Sequence, residues 1–370
     1  MKCLSFLVCL AVLGLAVVAP AAQPILHKQV LFKKGDGGYH TYRIPALVVS
    51  KKGTVLAFVE ARKNSGSDHG DIDLMIRRSE DHGRTWSRPQ IILDGGKKTI
   101  GNPCPVVDRK TGTIWLPLSR DNRQVLLMKS DDDGRTWSEP QDITADVLPK
   151  NWGWVGPGPG HGIQLKSGRL LIPCWAGVEK NVPFGKTQLS YVFFSDDGGK
   201  QWKLGGSLDK DLSDECEVVE LANGTVYMNA RSRQNKRRRA YSHSKDGGVS
   251  WSAVRFEPKL PEPSVQGSII RFSYESATDK NRVVLATPAH PRARTMMTVR
   301  ISYDECKTWP VSRVVHEGGA AYSDLAVTRD RQILLLYEAD QYATITLARF
   351  NLEWISRGHD KTPGRKSASE

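Results

Sequence analysis

The chain has 370 residues, of which 39% are hydrophobic and 25% charged. Those proportions exclude a fibrous, collagen-like or disordered polymer and fit a globular chain long enough for a large core. Lys and Arg number 53 against 40 acids, a formal charge of +13, which favours an anionic partner: nucleic acid, a membrane surface or an acidic small molecule.

The first element is a leader. Met1-Lys2 gives a positive start, Leu4 to Val18 is nearly all apolar, and Pro20-Ala21-Ala22 supplies small residues. This pattern predicts a secretory signal peptide over residues 1–22, too short in its apolar run for a comfortable membrane span. The predicted product is secreted or periplasmic. No later segment approaches a span. Cys3 and Cys9 fall in the leader, leaving Cys104, Cys174, Cys216 and Cys306. None of these forms a C-x-x-C pair, so neither a metal nor a redox motif is indicated. Export permits disulfides, and four buried thiols are the equal alternative.

Downstream, one octamer recurs five times. SEDHGRTW starts at Ser79, SDDDGRTW at Ser130, SDDGGKQW at Ser195, SKDGGVSW at Ser244 and SYDECKTW at Ser302. An Asp accepts hydrogen bonds from the N–H groups of a turn, Gly takes positive φ, and the Trp can anchor the turn on an apolar body. Short apolar or alternating runs precede the octamers: Asp73–Ser79, Val125–Ser130 and Tyr191–Ser195. Others lie between copies, at Thr54–Val59, Thr113–Leu118, Arg169–Pro173, Thr225–Ala230 and Gln332–Tyr337. Each reads as a strand. Helical periodicity is weak, with short turns expected only near Asp142 to Pro149. Repeats of this length with several strands each predict an all-β fold, a six-bladed β-propeller with a degenerate unit at ring closure. A β-sandwich is the runner-up but leaves the regular octamers unexplained. The catalytic unit is expected over residues 23–357, with 358–370 a frayed polar tail.

Two charged features need placing. SDDDG resembles the start of a calcium-binding EF-hand loop, but position twelve from Asp131 is Asp142 rather than Glu, and the flanks are strands. The run Asn235-Lys-Arg-Arg-Arg239 reads as a solvated hairpin tip, with contact to nucleic acid or a polyanionic glycan as the other reading.

Tyr42-Arg43-Ile44-Pro45 followed by the octamers, which are Asp boxes, resembles the sialidase (neuraminidase) family from about Val30 to Trp354. The resemblance implies an exo-α-sialidase that hydrolyses terminal sialic acids with retention through a tyrosyl intermediate. It implies no cofactor and no metal, sialylated glycans as partners, no nucleic acid, no membrane span and a monomer. A sialic acid bears a carboxylate on its anomeric carbon, and Arg binds carboxylates through a planar fork. By the resemblance Arg43, Arg231 and Arg294 form the clamp, with Arg292 the rival for the third place. Glu338 holds the first arginine. Tyr322 matches the nucleophile; the family is a tyrosine exception among retaining glycosidases. A carboxylate nucleophile would be repelled by the substrate's own carboxylate, whereas a phenol needs only a base beside it. Glu215 matches that base, with Glu217 its competitor on the same strand face and Asp214 expected to point the other way. Asp68, in the loop Glu60–Asp73, matches the acid/base, with Asp71 and Asp73 read as structural and His69 as a loop residue. Arg62 resembles a further arginine of the pocket. Trp154, Gln164 and Trp175 are candidates for the sugar or N-acyl wall, with loop scaffolding the equal alternative. Two other functions stay open: a non-catalytic propeller lectin for anionic sugars, and a hydrolase for another acidic sugar such as deaminated sialic acid.

Overall fold

The computed structural model describes residues 23–179, 187–210, 212–233 and 235–362. The predicted leader lies outside them. Apart from two four-residue helices, Thr144–Val147 and Leu352–Ile355, and one 3-10 turn, the elements are strands. They form four sheets of four or five strands and one of seven, all paired antiparallel. Thr41–Val49, Val55–Arg62, Ile72–Ser79 and Gln90–Leu93 make the first sheet. The seven-stranded sheet turns on one long strand, Val311–Val327. Its first part pairs with Thr295–Ser302 and its second, from Ala320, with Ile333–Ala339.

The first strands of successive sheets pack around a ring. Thr41–Val49 touches Val106–Val107, which touches Ile163–Gln164; Ser213–Glu220 packs on Ser268–Ser273, that strand on Val311–Val327, and the last returns to Thr41–Val49. The architecture is a β-propeller. The ring is closed by the N-terminal strand Leu26–Lys33, which pairs with Thr344–Phe350 of the last sheet. This pairing joins the two ends of the chain in one sheet, and each sheet keeps only a short outer edge.

Each octamer is a turn at the end of a third strand, and its geometry explains its residues. In the first, Gly83 N–H donates to Ser79 Oγ at 2.8 Å. Thr85 Oγ1 donates to Asp81 Oδ2 at 2.6 Å, and the amides of Arg84 and Thr85 donate to Asp81 Oδ1. The second and fourth copies repeat this around Asp132 and Asp246. Asp132 therefore spends both oxygens inside its turn.

The tryptophans do more than anchor their own turns. Trp137 packs with Leu56 and Phe58 of the first sheet as well as Leu116 of its own. Trp202, Trp251 and Trp309 likewise sit between their sheet and the preceding one. The octamers thus rivet neighbouring sheets. The glycines allow it: Gly199 has φ +93, and a Cβ there would lie 2.1 Å from Trp115 of the preceding sheet. Cys306, which replaces Gly in the fifth copy, keeps φ +66 and is buried against Val219 and Tyr227.

Cys104, Cys174, Cys216 and Cys306 are buried free thiols. The stretch after residue 357 does not begin to fray where expected. Asp360 is buried, accepts from Arg282 Nε and Nη2 at 2.7 Å each and from Tyr303 Oη, and Thr362 N–H donates to Glu353. Buried Arg282 needs a carboxylate, and the chain supplies one 78 residues on. Residues 363–370 lie outside the described part.

Two outcomes test this account. Gly199→Ala should lower unfolding stability by about 1–3 kcal/mol, the usual range for overpacking, read from the denaturant midpoint. Acid should loosen the rivets. Burial alone would raise the carboxyls of Asp81, Asp132 and Asp246, but the turn's hydrogen bonds outweigh it and bring each down to about 2. A carboxyl depressed on folding stabilises above its unfolded pKa and loses that contribution as pH falls through the folded value. A pH titration of stability should therefore fall between about pH 4 and pH 2, more steeply than in the Asp81→Asn variant.

Candidate active site

Strand alternation fixes where chemistry can sit. The octamers end the third strands, so the starts of first strands and the ends of second strands gather at the opposite end of the ring. Arg43, Glu215 and Tyr322 are near the starts of first strands. Arg62, Arg231 and Glu338 are at or near the ends of second strands, and Arg294 immediately precedes the third strand Thr295–Ser302. Together they reach one cavity of about 500 Å³, lined by Arg43, Arg62, Asp68, Glu215, Arg231, Arg294 and Tyr322. Glu338 stands behind it.

Tyr322 Oη donates to Glu215 Oε1 at 2.5 Å. Arg231 Nη1 bonds Glu215 Oε2 at 2.8 Å and approaches Tyr322 Oη at 3.4 Å. The guanidinium carbons of Arg43 and Arg294 lie 5.4 and 5.6 Å from the phenol ring centre. Burial holds the phenol's pKa well up, Glu215 raises it further, and the three arginines pull against both. At rest the tyrosine keeps its proton, with an acceptor already in contact.

Arg43 is aimed by a bulge. The register with the second strand shifts between Arg43 and Ala46, and Ile44 adopts φ +54, a strained value for a β-branched residue. In return Ile44 N–H and Arg43 Nε both donate to Glu338 Oε1, at 3.0 and 2.5 Å. Burial alone would lower the Arg43 guanidinium; Glu338 outweighs it and keeps it charged. Similar shifts lie between Ser213 and Cys216 and between Ala320 and Ser323. Bulges re-aim side chains beside active sites, and here they interrupt three first strands at the pocket.

The second shift corrects the expectation for Asp214. Simple alternation turns it away from Glu215, yet it pairs with Arg233 and lies 3.6 Å from Arg231 Nε. Burial raises its carboxyl to about 6 against the pull of those arginines. Glu217, the rival for Glu215's place, points to the ring axis. It accepts from Ser268 Oγ and Ile269 N–H and does not reach Tyr322. Arg292 is exposed, and Arg294 faces the pocket.

On the far wall Arg62 is 2% exposed and Asp68 74%. Arg62 Nη1 bonds Asp68 at 2.7 Å and the Gly66 carbonyl at 2.7 Å. Arg62 Nη2 bonds Glu60 at 2.6 Å. Burial would raise the Asp68 carboxyl, but Arg62 and Arg43 bring it below its ordinary value. His69 leans on the Trp154 ring from across the pocket. Asp71 pairs with Lys63, and Asp73 is fully buried under Tyr39 Oη and Gly95 N–H. Trp154 and Trp175 line the cavity, whereas Gln164 bonds Asp108 and Arg109 away from it.

Three contributors are not among the sequence candidates. Tyr342 lies under Arg43 at 4.2 Å and accepts from Arg294 Nη1. Ser264 accepts from Arg231 through Oγ and from Arg294 through its carbonyl. Glu60 also receives Asn102 N–H. Among the described residues one group has metal-like spacing, His161 with Glu217 and Asp324. Its carboxylate oxygens and His161 Nδ1 already have partners within the protein. His161 Nδ1 and Asp324 are 2.7 Å apart, and burial, with Asp324 beside it, pushes the Glu217 carboxyl well up.

Residues 53–335 match the BNR repeat-like domain. The chain is 32% identical to a sialidase of Micromonospora viridifaciens over 92% of its length, spanning 56% of that protein. It is 31% identical to an exo-alpha-sialidase of Aspergillus fumigatus, covering 87% of this chain and 86% of that one. Against Sialidase-2 of Cricetulus griseus the figures are 30%, 90% and 97%. The structure of a Hadza microbial sialidase superposes with a TM-score of 0.82 at 29% identity, over 89% of this chain and 69% of the other. Relatives at about 30% identity over most of the chain make it a glycoside hydrolase. The chain belongs to the sialidase family.

Arg43 and Glu338 also form the seam between the first and last sheets. Glu338→Gln should strand a buried guanidinium and lower stability by about 3–5 kcal/mol, measured by chemical denaturation; a change near zero would mean that Arg43 finds another counter-charge.

Proposed function

We propose that the protein is an exo-α-sialidase that removes terminal sialic acids from glycoconjugates with retention, through a tyrosyl-linked intermediate. The observation that carries this reading is the Tyr322–Glu215 contact at 2.5 Å beneath three guanidinium groups. Arg43, Arg231 and Arg294 take the substrate carboxylate. Their charge steers an anionic sugar and fixes its C2 atom over the phenol.

Glu215 accepts the Tyr322 proton as Oη bonds to C2. The bond from C2 to the leaving oxygen breaks as Asp68 donates a proton to that oxygen. In the second half Asp68 takes a proton from water, the water oxygen bonds to C2, the Tyr322–C2 bond breaks, and Glu215 returns the proton to the phenol. The resting phenol is far from ionised, so the base must be in contact rather than merely near. Asp68 has the reverse difficulty. Arg62 and Arg43 favour its ionised form, and a substrate carboxylate arriving at Arg43 offsets part of that field and makes the acid easier to protonate.

The seven-stranded sheet counts as two blades sharing Val311–Val327, which with the other four sheets makes six. The apolar N-terminal run would deliver the enzyme to the secretory route, and a monomer suffices because one chain supplies every group named.

A fluorogenic N-acetylneuraminic acid glycoside and its deaminated analogue, tested side by side, read out activity and sugar class. Tyr322→Phe should abolish nearly all turnover with the melting curve unchanged; near-normal turnover sinks the nucleophile assignment. Asp68→Ala should slow sialyllactose by about 10²–10⁴-fold, and an aryl sialoside with a good leaving group far less. A wild-type chain that binds sialic acid without releasing it would instead favour the lectin reading.

A further inference from the structure

The basic run beginning at Asn235 is not used by the reaction above. Its last member is structural: Arg239 is fully buried, donating to Asn229 Oδ1 and to the Val265 carbonyl. The others form the hairpin between Val226–Ser232 and Arg238–Ser244, which starts two residues after Arg231. Second-to-third-strand connections all lie on the pocket end of the ring. The matching connection of the next unit, residues 289–294, carries exposed Arg292 and ends on Arg294.

The two connections are joined. Arg237 Nη1 donates to the Pro291 carbonyl at 3.4 Å. The Arg237 carbonyl accepts from Glu262 N–H at 3.3 Å, two residues before the Ser264 that both Arg231 and Arg294 contact. Lys236, Arg237, Arg238 and Arg292 make no ion pair with a carboxylate among the described residues, unlike neighbouring Arg233, which pairs with Asp214. Nearby Glu262 is committed to Ser232. A rim of uncompensated positive charge therefore borders the clamp.

We propose that this rim is a second anion subsite, recognising a carboxylate or sulfate on the sugar next to the terminal sialic acid. The inference rests on the sialidase reading. In a sialoside the clamped carboxylate and the glycosidic oxygen hang on the same carbon, so the next sugar begins at the clamp, with its oxygen at Asp68, and leaves by the pocket mouth that the rim borders. An acidic group on that sugar meets the rim within the roughly 8–10 Å over which charge acts at moderate salt. A neutral sugar gains nothing there.

The test compares three substrates: sialyllactose, the same trisaccharide sulfated on galactose, and an α2,8-linked disialyl glycoside. Exposed Lys236 and Arg292 are replaced together by alanine; neither lines the pocket. Wild-type kcat/KM should favour at least one charged substrate over sialyllactose at low salt, and 0.5 M NaCl should erase the advantage. The double variant should lose about three- to tenfold on that substrate, the range for two exposed charge contacts, while sialyllactose changes less than about twofold. Which charged substrate responds identifies the group. Equal losses on all three, or no loss on either charged one, overturn the subsite. A wild-type chain that cleaves none of the three overturns the sialidase reading and the subsite with it.

Discussion

Guanidinium groups that share a pocket repel one another, and everything at this end of the molecule is arranged around that fact. Two like unit charges 4 Å apart repel by about 4 kcal/mol at an effective dielectric constant near 20, a sizeable fraction of a domain's net stability. Three of the four pocket arginines are therefore held by a carboxylate set behind or beside them: Glu338 for Arg43, Glu215 for Arg231, Glu60 for Arg62. The counter-charges stop short of neutralising the cavity for a ligand, because they occupy one edge of each fork and leave the rest facing inward. Arg294 has no carboxylate partner among the described residues and rests on Tyr342 and the Ser264 carbonyl.

The same contacts close the ring. Arg43 and Glu338 are 295 residues apart in sequence and belong to the first and last sheets. Leu47 N–H of the first sheet also donates to Asp324 of the long strand at 2.6 Å. Site and seam are one structure, so a substitution there acts on both. The bulges by Arg43, Glu215 and Tyr322 belong to the same arrangement. Regular strands would place alternate residues on opposite faces; a bulge lets the neighbouring residues Asp214 and Glu215 both reach Arg231.

The two ends of the ring divide the labour. Octamer turns, with their tryptophan rivets and acid-sensitive carboxylates, fasten sheet to sheet at one end. Loops at the other end are free to carry charge, including Asp68 and the basic connections. Strands aim Arg43, Arg62 and Arg231, whereas the exposed loop residue Asp68 is positioned chiefly by its ion pair with Arg62.

Much of this was legible in the chain itself. The octamers announce repeated turns because Ser, Asp, Gly and Trp each serve a local need, and local needs leave local patterns. Arg43, Arg231, Arg294, Glu215, Tyr322 and Asp68 could be picked out through resemblance, and the fold brings them to one cavity. Sequence could not separate Glu215 from Glu217 or Arg294 from Arg292, since each pair differs by two positions and only the bulges and the ring decide which member faces inward. Nor could it find Tyr342, Ser264 or the Asp360–Arg282 pair, whose partners lie in distant parts of the chain. Composition and repeat fixed a closed all-β ring with a basic surface, because hydrophobic alternation and turn chemistry act over a few residues. Which charges meet, and therefore what the pocket can hold, was settled only by tertiary structure, because electrostatic partnership depends on distance in space.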